Sequence, residues 1–252
     1  MPALEDGTAY TAKACLDSLS FPERDNRLLS IPEPHPDTLQ WIWDEQQEFI
    51  SWLSHGHGVF WLHGKPGCGK STLMKYLSQT LQSKSKHVGE WTVFVHFYFN
   101  SQGSDLEKSM EGMLRSTLLQ ILQQAPSLFA QIQHVYRRFV REDFKWSLAA
   151  LQQLFTAILD ASGHDQKFWL SIDALDECEG TLREHMTFLQ NIAAKHQSTL
   201  RMCISSRPLP ALVAQLGSHP NLVLQDHIST DISQFVGDKL RSAHVDLDAD
   251  II

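Results

Sequence analysis

Val59-Phe60-Trp61-Leu62-His63-Gly64-Lys65-Pro66-Gly67-Cys68-Gly69-Lys70-Ser71-Thr72 runs from an apolar stretch directly into the pattern G-x-x-x-x-G-K-[S/T]. Val59 to Leu62 reads as a short buried strand, and past the loop Leu73, Met74, Leu77 and Leu81 recur at helical spacing on one face. Glycines at 64, 67 and 69 permit a tight turn with positive φ, so successive amide groups can converge on phosphate oxygens at the positive end of the following helix. Lys70 supplies a mobile charge for the β- and γ-phosphates, Ser71 a hydroxyl where Mg²⁺ is held, and Thr72 a side chain that reaches the α-phosphate. Gly64, Lys65, Pro66, Gly67, Cys68, Gly69, Lys70, Ser71 and Thr72 together read as the seat of a nucleoside triphosphate.

Downstream, Trp91 to Phe99 is rich in β-branched and aromatic residues and predicts a second strand. A long helix is expected from Asp105 to Gln124, ending before Pro126, then a helical hairpin over 127–161 and a turn at Ser162-Gly163-His164-Asp165. Phe168–Ile172 and Leu200–Ser206 predict two more strands around a helix at Leu182–Lys195, and Leu222-Val223-Leu224 a fifth. Alternating strands and helices imply an α/β three-layer αβα sandwich on a mainly parallel five-stranded sheet. Upstream, Trp41 to Leu53 suits an amphipathic helix. Residues 1–40 are polar and broken by Ile31-Pro32-Glu33-Pro34-His35-Pro36, as a leader draped over a domain would be. The expected division is a leader at 1–40, a nucleotide-binding domain at 41–228 and the start of a truncated C-terminal helical region at 229–252.

A second chemical constellation is Ser171-Ile172-Asp173-Ala174-Leu175-Asp176-Glu177, at the carboxyl end of a predicted strand, where ligands bind in doubly wound sheets. Asp173 is placed to complete a Mg²⁺ shell, and Asp176 or Glu177 to orient and deprotonate an attacking water. Arg207 closes the strand Met202–Ser206, from which a planar guanidinium can reach a γ-phosphate and report its presence. Arg115 on the long helix reads as a partner for a carboxylate. His55, His57 and His63 crowd the start of the loop, but with no carboxylate or cysteine at matching spacing they read as turn residues and neighbours of the site.

At 252 residues and 42% hydrophobic content, the chain can form one large α/β domain with a full core. A net charge of −8 and the lack of a basic stripe argue against a nucleic-acid partner. Four scattered cysteines suggest reduced thiols, and with no secretory leader and no apolar run of membrane length the expectation is a cytoplasmic protein without a membrane partner. A strand intervening between the loop strand and the Asp173 strand assigns the chain to the additional-strand division of P-loop proteins. No asparagine fits the Asn-Lys-x-Asp base-reading element of GTPases, which favours ATP and leaves GTP open.

These residues resemble the NACHT domain of the STAND class of P-loop NTPases, in the form found in fungal NOD-like receptors. The likeness is carried by Phe60–Lys75, Leu114–Leu122, Ile172–Glu177 and Ser205–Pro208, and extends to Cys15–Leu19 and Asp226–Ile232. It implies that Asp173 holds Mg²⁺, that Asp176 and Glu177 support hydrolysis and that Arg207 senses the γ-phosphate. It also implies a slow switch, closed with diphosphate and homo-oligomeric with triphosphate, signalling in innate immunity or self/non-self incompatibility. The chain starts near the usual junction with an effector and stops at Ile252, before a winged-helix module or sensor repeats, so effector and sensor partners are left unknown. A non-hydrolysing nucleotide-binding scaffold is the competing reading, and a small-molecule kinase is disfavoured because no arginine-rich lid segment is visible.

Overall fold

Five strands, each apolar enough to be covered on both faces, set the architecture. In a computed structural model that describes residues 10–88, 93–140, 144–163 and 166–249, they are β1 (Val59–His63), β2 (Val93–Tyr98), β3 (Phe168–Asp173), β4 (Leu200–Ser206) and β5 (Asn221–Val223). All pairings are parallel and the order is β2-β3-β4-β1-β5. β4 lies between the loop strand and the Asp173 strand, which is the additional-strand arrangement expected. Trp91 and Thr92 of the second predicted strand, His164 and Asp165 of the predicted turn, and the outermost parts of both terminal regions lie outside the described residues.

Side-chain alternation sorts the core onto two faces. On one face Val59 and Trp61 of β1, Phe168, Leu170 and Ile172 of β3, and Leu200, Met202 and Ile204 of β4 join a single apolar cluster. It is completed by α1 (Ala12–Leu19), α6 (Met110–Gln124), α7 (Leu128–Phe139), α8 (Leu148–Ala161), α9 (Leu182–Lys195) and α10 (Pro210–Leu216). On the other face Phe60, Leu62, Trp169 and Cys203 meet α3 (Trp41–Asp44), α4 (Gln47–His55) and α5 (Lys70–Val88). The remaining helices, α2 (Asn26–Ser30) and α11 (Ser229–Ala249), lie toward the two ends of the chain.

Where elements depart from sequence expectation, tertiary contacts are the cause. The helix expected from Asp105 begins instead at Met110, because Ser109 is extended and its hydroxyl caps the Gly112 amide. A Cβ on Gly112 would sit 1.8 Å from the Leu106 carbonyl oxygen, so the preceding loop can lie against the helix only where glycine stands. The single helix expected over Trp41–Leu53 is two, broken at Gln46, whose side chain bonds the His227 ring. Within the leader, α1 buries Cys15 and Leu19. Arg115 donates to the carbonyls of Ser18, Leu19 and Ser20 while also pairing with Glu111. It therefore holds the leader and stands apart from the loop.

β2 is an edge strand, a place where unpaired backbone groups invite another chain. Here two glutamines of α6 close it. Gln124 accepts from the Phe94 amide and donates to its carbonyl, and Gln120 does the same at His96.

Candidate functional site

Because β1, β4 and β3 are adjacent and parallel, their carboxyl ends bring the glycine-rich loop, Arg207 and Asp173 side by side. They line one open cleft of about 370 Å³ that also takes in Pro66, Gly67, Gly69, Lys70, Ser71, Thr72, Asp176 and Glu177. The loop owes its shape to its glycines: Gly67 and Gly69 have φ of 75° and 88°. At Gly64 a Cβ would come within 2.6 Å of Gln225 Oε1 and 2.8 Å of Cys68 Sγ, which pack against that position. Gln225 also accepts from the Lys65 amide at 3.2 Å. Lys70 Nζ donates to the carbonyls of Gly64 (2.9 Å) and Lys65 (2.8 Å), folding the ammonium over the loop it follows.

Asp173 ends β3 with 1% of its surface exposed. One carboxylate oxygen accepts from the Ser205 hydroxyl and the other, Oδ2, is buried with no hydrogen-bond partner. Burial pushes the Asp173 carboxyl above the usual range, opposed by the hydroxyls of Ser205 and Ser71 and the charges of Arg27 and Lys70. An orphaned anionic oxygen beside a serine hydroxyl suits a hard divalent cation. Among the described residues no cluster of three His, Cys, Asp or Glu could cage a metal by itself. Mg²⁺ fits here as an ion held by Ser71, Asp173 and phosphate oxygens together, the usual pattern for a cation that keeps substrate and water in its shell.

The turn after β3 explains the small residue between Asp173 and Asp176. Ala174 has φ of 55°, a left-handed conformation costly for branched side chains, and its amide donates to Ser205 Oγ at 3.0 Å. Beyond it a tight turn, Leu175–Glu177, presents the two acids in different ways. Asp176, whose side chain is 3% exposed, accepts from both the backbone amide (3.0 Å) and Nε of Arg207. The carboxylate raises the already high pKa of that arginine. Glu177 Oε2 accepts from the Ser101 amide at 2.8 Å, tying the turn to the loop after β2.

Arg27 of α2 lines the same cleft, and no motif marks it, because its place depends on how the leader folds back. Gln225 was equally silent, and Ser205, although within the stretch that carries the resemblance, had no role assigned: each acts by bonding a residue that the motifs do name. His63, by contrast, stacks on Trp61 and bonds Asn221, outside the cleft.

A second cavity, of about 670 Å³, adjoins the first across Gly67, Gly69 and Thr72. It is walled by the proline-rich strap Pro32–Pro36, by Thr38 and Leu39, and by Leu224, Ile228, Ile232 and Phe235. Its apolar lining and its position beside Thr72 suit the base and sugar of a nucleotide whose phosphates lie in the loop.

A family model described as Nephrocystin 3, N-terminal, matches residues 37–207, and no curated protein matches the chain. Among solved structures, Cdc6p from Pyrobaculum aerophilum is similar over 94% of this chain and 54% of its own, with a TM-score of 0.50 and 13% identity. ORC from Drosophila bound to DNA (15% identity, 89% of this chain and 49% of that one) and Aeropyrum pernix ORC1 in complex with DNA (13%, 81% and 51%) both give TM-scores of 0.45. The chain thus spans about half the length of these structures. The first shares with it the fold of a P-loop NTPase. No helix among the described residues is long and apolar enough to cross a membrane.

Proposed function

Because this chain belongs to the nephrocystin 3 N-terminal family, we propose that it is a Mg-ATP-operated switch of the NACHT type, in the STAND class of P-loop NTPases. It binds ATP, hydrolyses it slowly and self-associates in the triphosphate state. The nucleotide-binding domain is residues 41–228, and the output is cytoplasmic signalling of the kind found in fungal NOD-like receptors, in innate immunity or incompatibility. The ligand is a nucleotide and not a nucleic acid, in keeping with a net charge of −8.

The observation that carries this reading is the pairing of Arg207 with Asp176. An arginine at the end of β4 is within the same cleft as the loop, so a γ-phosphate competes with Asp176 for its guanidinium. When the phosphate wins, a nearly buried carboxylate loses its partner. The Leu175–Glu177 turn must then move or find another donor. A diphosphate leaves the pair intact. The difference between the two nucleotides is thereby converted into a difference in backbone position.

Mg²⁺, when bound with the nucleotide, supplies charge neutralisation across the β- and γ-phosphates. Lys70 turns from the loop carbonyls to those phosphates, Ser71 and Asp173 would hold the ion, and Glu177 positions water. Glu177 is engaged with the Ser101 amide, which favours slow turnover and gives the non-hydrolysing scaffold its one supporting observation.

Calorimetry, phosphate release and light scattering on the purified chain test the reading. Lys70→Ala is expected to lose Mg-nucleotide binding by about a hundredfold or more. Glu177→Gln should keep binding and stop release, and Arg207→Ala should bind ATP and ADP alike without self-association. Tight ATP binding with no phosphate release from the wild type selects the scaffold, and unchanged binding in Lys70→Ala sinks both.

A further inference from the structure

Arg27 lines the cleft without an ion-pair partner among the described residues. Its Nε is buried without a hydrogen-bond partner. That N–H is turned away from water and needs an acceptor, while the half-buried side chain borders the open cleft. The other charges of the cleft are accounted for: Arg207 by Asp176, and Lys70 by two loop carbonyls. Without Arg27, two cations face three carboxylates, Asp173, Asp176 and Glu177, a balance poorly suited to a polyphosphate.

We propose that Arg27 binds the terminal phosphates of the nucleotide and so couples the leader to nucleotide state. This rests on the nucleotide-binding reading of the cleft and adds to it a residue that lies before the family-matched segment. The end of the nucleotide it meets follows from its place: Arg27 lines the cleft that holds Asp173, Asp176 and Arg207, and it is not among the residues that wall the adjoining cavity suited to the base.

The leader is built to transmit such a contact. Just after α2, the buried Lys75 of α5 donates to the Ile31 carbonyl at 2.8 Å and pairs with Glu33 at 2.7 Å. The chain beyond Arg27 is thus pinned to the helix that begins at the phosphate loop. Arg27 is held on a short tether whose fixed point, Lys75, lies on the helix that also carries Lys70 and Ser71, an arrangement that lowers the entropy lost when it closes on phosphate. A ligand at Arg27 then orders α2 against α5, and its loss frees that segment.

The test compares Arg27→Gln, Arg27→Lys, Arg207→Ala and Lys70→Ala for binding of Mg-ATP and Mg-ADP, with hydrogen exchange over residues 26–36 in each state. Arg27→Gln is expected to weaken Mg-ATP about tenfold and Mg-ADP about threefold or less. Arg27→Lys should recover part of the loss, since charge without the fork still attracts phosphate. ATP should protect residues 26–36 in the wild type and in Arg207→Ala, but not in Arg27→Gln. Loss of binding in Lys70→Ala with unchanged ATP affinity and unchanged leader protection in Arg27→Gln overturns this proposal alone. Unchanged binding in Lys70→Ala overturns the nucleotide reading beneath it. If Arg27→Gln does not fold, Arg27→Lys decides: a protein with wild-type exchange and wild-type ATP affinity refutes the phosphate contact.

Discussion

Asp173 concentrates the tension of the site in one carboxylate. It is buried, its pKa is raised chiefly by that burial, and one of its oxygens has no partner. An acid whose folded pKa exceeds its unfolded value contributes stability only while protonated. That contribution is full below the ordinary carboxylate pKa of about 4 and is lost as pH rises through the folded pKa, above which the ionised group is a net cost. Asp173→Asn keeps the shape and an acceptor for the Ser205 hydroxyl while removing the charge. In nucleotide-free protein it is expected to raise the free energy of unfolding by about 1–2 kcal/mol at neutral pH, and to flatten the decline of stability with rising pH. The same variant should lose the extra stability that Mg-nucleotide confers on the wild type. Denaturant unfolding with and without Mg-ADP reads both effects, and a nucleotide-free Asp173→Asn less stable than the wild type contradicts the assignment.

Elements whose limits are set by their own periodicity were legible, and those set by distant partners were not. The helix predicted at Leu182–Lys195 has those limits in the structure, and β1, β3 and β4 lie within a residue of expectation. The start of α6 was hidden because Gly112 matters only once the Leu106 carbonyl is known to press on it. Helix α1 went unread because it packs through Cys15 and Leu19 against a face 100 residues away, and Arg115 of that face caps its carbonyls. The glutamines on β2 belong to this second kind, and they yield a prediction. Each supplies a donor and an acceptor to an edge strand, imitating one more strand. Replacing Gln120 and Gln124 together by Ala should cost about 1–3 kcal/mol in unfolding experiments and make the protein associate as concentration rises. Gln123→Ala, on an exposed position of the same helix, serves as the neutral control. A double variant as monomeric and stable as that control shows that water replaces the glutamines adequately.

At the scale of the whole molecule, the loop, Asp173, Asp176, Glu177 and Arg207 could be read from the sequence because parallel strands deliver such motifs to one edge of a sheet. The wall of the second cavity was legible only as a leader draped over the domain, since it is made by two segments nearly 200 residues apart. The strap Pro32–Pro36 and Leu39 face α11, and Asp231 of that helix accepts from the Leu39 amide (3.2 Å) and Trp41 Nε1 (2.9 Å). Gln234 adds a bond to the Pro36 carbonyl, and Trp41 stacks on His227. The strap is held against resistance: Asp37 and Leu39 have φ of 60° and 65°, a left-handed backbone that Asp tolerates but that costs roughly 1–2 kcal/mol at a residue such as Leu39. A segment under such strain relaxes when its anchors are cut. Asp231→Ala removes two anchors at once, so the strap should open and the base should lose its cover while the phosphate loop is untouched. Affinity for Mg-ATP is then expected to fall about tenfold and that for inorganic triphosphate to stay within about twofold, with faster chymotryptic cleavage near Leu39 and Trp41. Asp231→Asn, which keeps an acceptor oxygen, should lie between. Equal losses for ATP and triphosphate place the effect in the loop and not in the strap, and wild-type affinity with rapid cleavage separates the strap from the nucleotide altogether.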